Sequence, residues 1–419
     1  MFFWDTVNAS VKGIDFFCSP KAYLNLLDGI SMYDTWGARP YINKTITWYL
    51  SHPAFAVFVS SWLSCFKPWA AYWLWIIISV VIVFISGIIM SSCVEKPVQK
   101  GIVLLTSSIS IPMFWTLYVG NSHAVIILSF ACLFAGMIKL QGKKNGTGSK
   151  LVFGGILLSL FSKPVVVIML PLFLIIRKTR KVTSIALLIY SIVSILFIIV
   201  PILNPESIGL GGIVRLLGNI GYVKTNMNIY ANNFVLTPEM KCNSIHWFNL
   251  AAQAGHNFSH IDIFSLASFV NDLSGKELAP IYFKIPLYVA LAVTLLFFLL
   301  EESKQIIAAI PVLILLVCSY FLSYNTVWEY QYSAMMPVFS TVLILFFNGY
   351  RSRRIILIVY ITLFLPMAFP SLYFLVRNME SSILQMFCIR ITRVVPVAMI
   401  YLLTLVLFIR RQIKDHITT

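Results

Sequence analysis

The feature that most restricts the fold is the run WAAYWLWIIISVVIVFISGIIMSS at 69–92, which carries no charge. As a helix rising about 1.5 Å per residue it covers about 36 Å, enough to cross a hydrocarbon core of about 30 Å. Inside lipid every backbone N–H and C=O must be satisfied within the structure, so a run of this kind is a helix or belongs to a closed barrel. A barrel would read as short alternating strands, whereas comparable unbroken apolar runs recur at 102–119, 120–138, 183–203, 284–300, 305–323, 335–349, 355–371 and 394–410. With 59% hydrophobic residues, 11% charged ones and a mean hydropathy of +0.88, the chain cannot be a soluble globular protein. The expectation is an all-α polytopic membrane protein, one integral membrane domain over 1–419, with about nine full spans.

The net charge of +16 does not point to nucleic acid. Placing the short basic loops on the cytoplasmic side gathers Lys96, Lys100, Lys139, Lys143, Lys144, Lys150, Arg177, Lys178, Arg180, Lys181, Lys304, Arg351, Arg353, Arg354, Arg410, Arg411 and Lys414 there, against Glu95, Glu301, Glu302 and Asp415. The positive-inside rule accounts for this basicity. The outer face then receives 1–52, 204–283, 324–334 and 372–393, with eleven of the fifteen acids. Any chemistry is expected on that face, and the C-terminus in the cytoplasm. An external N-terminus with no span before it suggests that a first transmembrane helix is missing. The seven cysteines show no CxxC or zinc-ligand spacing, so no metal, cofactor or disulfide framework is expected.

Two segments depart from simple crossing. PAFAVFVSSWLSCF at 53–66 is short and reads as an interfacial or re-entrant helix. The apolar stretch 151–176 has basic flanks of cytoplasmic type at both ends, so it should cross an even number of times, yet its 26 residues reach only about 39 Å. A hairpin of two short helices solves this, broken at Pro164, which cannot donate a backbone hydrogen bond. Lys163 rides on the tip. An amine at that depth needs a partner, and function is the default reading; a lysine snorkelling along one tilted span is the plainer alternative.

Four stretches, in order, resemble the polyprenyl-phosphate-sugar-dependent glycosyltransferases of family 87, which have the GT-C fold and include α-mannosyltransferases. They are GIDFFCSPKAYLNLLDGISMYD, SHPAFAVFVSSWLSCFKPWAAYWLW, YVGNSHAVIIL with GGILLSLFSKPVVVIMLPLFLI, and VWEYQYSAMMP. The resemblance implies a GT-C-like fold in the cell membrane. It also implies transfer of a hexose, on this reading mannose, from a polyprenyl-phosphate-sugar to a hydroxyl acceptor on a glycolipid or glycan, with inversion. It makes Asp15 the candidate base and Asp34 its rival, with Asp28 third. Lys163 becomes the donor-phosphate ligand, seconded by Arg39. Glu329, Gln331, Trp328, Asn121 and His246 become candidates for sugar or acceptor binding, Glu329 alternatively as a partner of Lys163. Where the family tends to place His, this chain has Gln331, which cannot shuttle protons near neutral pH. The loop residues His256 and His260 read as acceptor recognition or loop polarity rather than metal ligands. The competing readings are a lipid or sugar transporter or flippase, a membrane polysaccharide polymerase or ligase, and a non-catalytic member of the fold.

Overall fold

The computed structural model describes residues 15–16, 19–20, 23, 51–63, 65–142, 145–196, 265–275, 279–300, 306–324, 327–348, 353–368 and 382–417. All the regular elements described are helices. In chain order the α-helices of six or more residues are α1 Pro68–Ser91, α2 Pro97–Ser108, α3 Ile111–Val119, α4 His123–Gln141, α5 Asn145–Ser162, α6 Leu170–Ile175, α7 Arg177–Ser194, α8 Leu266–Ser274, α9 Ile285–Leu299, α10 Ile306–Ser323, α11 Met336–Phe347, α12 Arg353–Ala368 and α13 Ser382–Ile417. Among the described residues, five helices are long and apolar enough to cross a membrane, or six if the bent pair α2–α3 forms one span. The chain is therefore an integral membrane protein by length and composition of its helices.

The centre of the bundle is α4, whose apolar window is 83% buried, against 33% for α1 at the rim. Around it pack α1, α5, α10, α11 and the 3-10 helix Glu329–Met335. Contact between α4 and α5 is close because the facing positions are small. A methyl on Gly136 would come within 2.9 Å of the Gly148 carbonyl, and one on Gly155 within 2.8 Å of the Ser129 carbonyl. The Ser129 hydroxyl donates to the Gly155 carbonyl at 2.7 Å across the same seam. Small residues with an interhelical hydrogen bond are how helices associate where no hydrophobic effect drives them together.

The hairpin expected at 151–176 is present in altered proportions. Its first arm, α5, begins at Asn145 and is nearly as long as α4 beside it. Its return arm is the 3-10 helix Val165–Met169 followed by α6. Because a 3-10 helix rises about 2.0 Å per residue, this short arm reaches further than an α-helix of equal count. The length shortfall in the sequence thus narrows, because one arm starts earlier and the other is stretched, while the return arm stays shorter than a full span. The return arm ends where Arg180 donates to the Leu174 and Ile175 carbonyls and Lys178 to that of Leu140, at the C-terminal end of α4. The tip lies at the other end, beside Asn121. Ser159 closes the break, its hydroxyl donating to the Lys163 carbonyl at 2.8 Å and accepting from the Val166 N–H at 3.1 Å.

Two further differences from expectation stand out, at 102–119 and at 382–393. The run 102–119 is two helices meeting at a 50° bend, with Ser110 starting the second by accepting from the Met113 N–H. Residues 53–63 are a short helical segment with a π turn at Ala56–Ser60. Residues 382–393, expected in a polar outer region, belong to the helix α13, and its Arg390 and Arg393 are buried. An arginine reads as a loop residue until its partner is known.

Candidate functional site

The site is built on the turn between α3 and α4. Gly120 takes a left-handed conformation (φ +69°), and the Gly120 and Asn121 N–H groups return to the Leu117 and Thr116 carbonyls. This is a Schellman termination, which favours glycine at that position. Glycine is needed there for a second reason. A methyl at Gly120 would sit 2.5 Å from the Phe16 Cβ, so its absence lets the segment carrying Asp15 lie against the turn. Phe16 is buried against Tyr72 and Trp75, and those two donate to the Tyr118 and Gly120 carbonyls at 2.8 and 2.9 Å. α1 therefore fixes both sides of the contact.

Asn121 then joins two groups far apart in sequence. Its Nδ2 donates to Asp15 Oδ2 at 2.8 Å, and its Oδ1 accepts from Lys163 Nζ at 2.9 Å and from the His123 N–H at 2.9 Å. Tyr330 completes the group. Its ring lies 5.7 Å beneath Lys163 Nζ, and its carbonyl accepts from Thr116 at 3.0 Å. Burial pushes the Asp15 carboxyl above the ordinary carboxylate range, opposed in turn by the Asn121 hydrogen bond, the Lys163 charge and the Tyr330 hydroxyl. His123 is fully buried with its ring edge-on to Tyr330, and neither ring nitrogen makes a well-formed hydrogen bond. On the far side of the tip His52 accepts from the Ala54 N–H, bonds Ser194 at 3.0 Å, and packs on Phe161 and Tyr190. Burial lowers its pKa to about 4, so it is neutral at physiological pH.

Of the residues singled out in the sequence, Asp15, Asn121 and Lys163 are brought together. Glu329 is one residue from Tyr330, but it is the partner of Arg393 rather than of Lys163: Arg393 Nε and Nη2 both donate to Glu329 Oε1, the former at 3.0 Å. Gln331 is committed locally, its Oε1 accepting from the Trp328 N–H at 3.0 Å and so capping the 3-10 helix. Trp328 is half-buried at the start of that helix. Asp34, Asp28, Arg39, His246, His256 and His260 lie outside the described residues.

Two members escaped the sequence reading. Tyr330 sits in EYQY, where its charged and amide neighbours Glu329 and Gln331 are the conspicuous residues. Arg393 was placed outside the membrane because the last apolar run was started at 394. Glu329 was the available signal, since an acid beside an apolar run needs a cation.

Compared with protein-family models, curated proteins and solved structures, the chain matches none.

Proposed function

We propose that the protein is a membrane glycosyltransferase of the GT-C type, moving a hexose, mannose on the sequence resemblance, from a polyprenyl-phosphate-sugar to an acceptor hydroxyl with inversion. The observation that carries this reading is the convergence of a carboxylate and an ammonium on one amide, Asn121. In the proposed step the acceptor oxygen attacks the anomeric carbon as the bond to the phosphate oxygen breaks, through an oxocarbenium-like transition state. Asp15 takes the hydroxyl proton; a raised pKa makes it a stronger base than an ordinary carboxylate. Lys163 meets the charge left on the departing polyprenyl phosphate, as a compact point charge suits that oxygen. Asn121 keeps the two at a fixed spacing. The location goes with the proposal: cell membrane, the site at the extracytoplasmic end, the C-terminus in the cytoplasm, and about nine spans besides the hairpin.

The test is transfer from polyprenyl-phosphate-mannose by the purified chain in lipid nanodiscs. Asp15→Asn is expected to lose about 10²–10⁴-fold in rate and Lys163→Ala about 10²–10³-fold. Failure of wild type to bind any polyprenyl phosphate removes the reading. A second reading, a transporter, is favoured by one observation. The 50° break between α2 and α3 adds a second discontinuous helix to the broken hairpin, and both lead to the Asn121 turn. Broken helices around a charged site are a transporter device; pH-driven solute uptake into proteoliposomes without sugar transfer would select it.

A further inference from the structure

The end of the bundle opposite the Asn121 turn carries a feature that the proposed chemistry leaves unused. There α6 and α9 both pack on α10 and touch each other. Beside that contact they leave an apolar groove of about 170 Å³, lined by Pro171 and Ile175 of α6 and by Leu291, Thr294, Leu295 and Phe298 of α9. Its volume is comparable to that of an engineered apolar cavity of about 150 Å³ that takes up benzene. Positions 291, 295 and 298 share one face of α9, and Leu295 and Phe298 are 58% and 51% exposed. The Thr294 hydroxyl is spent on the Ala290 carbonyl at 2.8 Å, so it is not offered to a ligand. Because α9 belongs to the candidate span Ile281–Leu299, the groove opens on hydrocarbon.

The groove ends in cations. Ile176 is extended (φ −70°, ψ 118°), and α7 starts at once with Arg177. Arg180 folds back, its Nε and Nη2 donating to the Leu174 and Ile175 carbonyls at 2.9 and 3.2 Å, the second of these belonging to a groove residue. Capping the last carbonyls of α6 is the plain role of that side chain. It uses two of five N–H donors, however, and no carboxylate meets the charge. Arg177 and Lys181 are one turn apart on the same helix. All three side chains are exposed, and among the described residues no carboxylate pairs with any of them. An apolar slot that closes on uncompensated cations matches a ligand with a hydrocarbon chain and a negative headgroup.

We propose that the groove between α6 and α9 holds one acyl chain of an anionic phospholipid, whose phosphate lies on Arg177, Arg180 and Lys181. The planar fork of a guanidinium suits a phosphate. The chain fills the flank of the hairpin's short return arm and bridges it to α9. The site lies at the far end from Lys163, so it is separate from the proposed donor site and does not depend on sugar transfer.

The experiment is native mass spectrometry of the full chain released from nanodiscs made of equal parts phosphatidylcholine and phosphatidylglycerol, followed by titration of phosphatidylglycerol. Wild type is expected to retain one phosphatidylglycerol in preference to phosphatidylcholine. A basic residue at a membrane surface is worth about 5-fold in binding, so Arg177→Gln should weaken retention by about that factor and Arg177→Gln with Arg180→Gln about 30-fold. Arg180→Gln keeps an amide donor for the α6 carbonyls. Leu295→Trp, which fills the groove and leaves the cations in place, should weaken retention about tenfold, the worth of two buried methylenes. Lys100→Gln removes an exposed cation from α2, which packs on α1 and α11, and should change nothing. Equal retention of the two lipids by wild type, a Lys100→Gln effect as large as that of the arginine pair, or unchanged retention in Leu295→Trp overturns the proposal. Should the arginine pair not fold, judged by thermal unfolding, Arg177→Gln decides together with Leu295→Trp, since the Arg177 side chain bonds nothing among the described residues.

Discussion

At the scale of residues, Asn121 is the link on which the site depends, and its role follows from its chemistry. An amide offers a donor to a carboxylate and an acceptor to an ammonium at once, which neither Asp nor Lys can do. Because the Asn121 hydrogen bond opposes the upward push of burial on Asp15, Asn121→Ala should raise the Asp15 pKa further. The pH–rate profile of transfer is then expected to climb through a midpoint above the ordinary carboxylate range in wild type, and at higher pH still in Asn121→Ala. Stability follows with the opposite trend. The folded-state pKa of Asp15 lies above its unfolded one, so the stabilisation it brings is complete below the unfolded value and is lost as pH rises through the folded one. Lys163 was legible from sequence because a charge inside an apolar run is conspicuous, whereas Asp15 came only with the family resemblance. Asn121 is a sugar or acceptor candidate in the sequence, not a link between two charges, and Tyr330 does not stand out at all, since hydroxyls and amides in apolar sequence are ordinary until a partner is seen.

At the scale of elements, the hairpin was legible from a conflict between flanking charge and length, and its proportions were not. Pro164 marked the break correctly, but nothing in VVVIM announces a 3-10 helix, because that choice is made by Ser159 bonding across the gap. The seam between α4 and α5 decides where the tip arrives. Gly155→Leu would place its Cβ 2.8 Å from the Ser129 carbonyl, so α4 and α5 must part. The expected cost is about 1–3 kcal/mol in unfolding free energy, with a fall in transfer rate that Gly154→Leu, where a side chain meets open space, does not share. Thermal unfolding and rate measured on the same preparations check both.

For the whole molecule, the sequence conveyed class and charge asymmetry: helices, a membrane, and basic residues such as Lys178 and Arg180 at the end opposite Lys163. It misassigned 382–393 to a polar outer region, although these residues belong to α13, where Arg390 and Arg393 are buried. Burial of an ion pair depends on a partner about sixty residues away, as Glu329 is from Arg393, and no local pattern carries that. The same holds for the site: Asp15 and Lys163 belong to distant segments that meet only when α1, α4 and the hairpin are assembled. The measurement that tests this most directly is a double-mutant cycle on transfer from polyprenyl-phosphate-mannose, with Asp15→Asn, Lys163→Ala and the pair together. One shared site predicts that the pair is little worse than the more damaging single variant. Losses that multiply in full, or an Asp15→Asn protein that transfers at the wild-type rate, would contradict it.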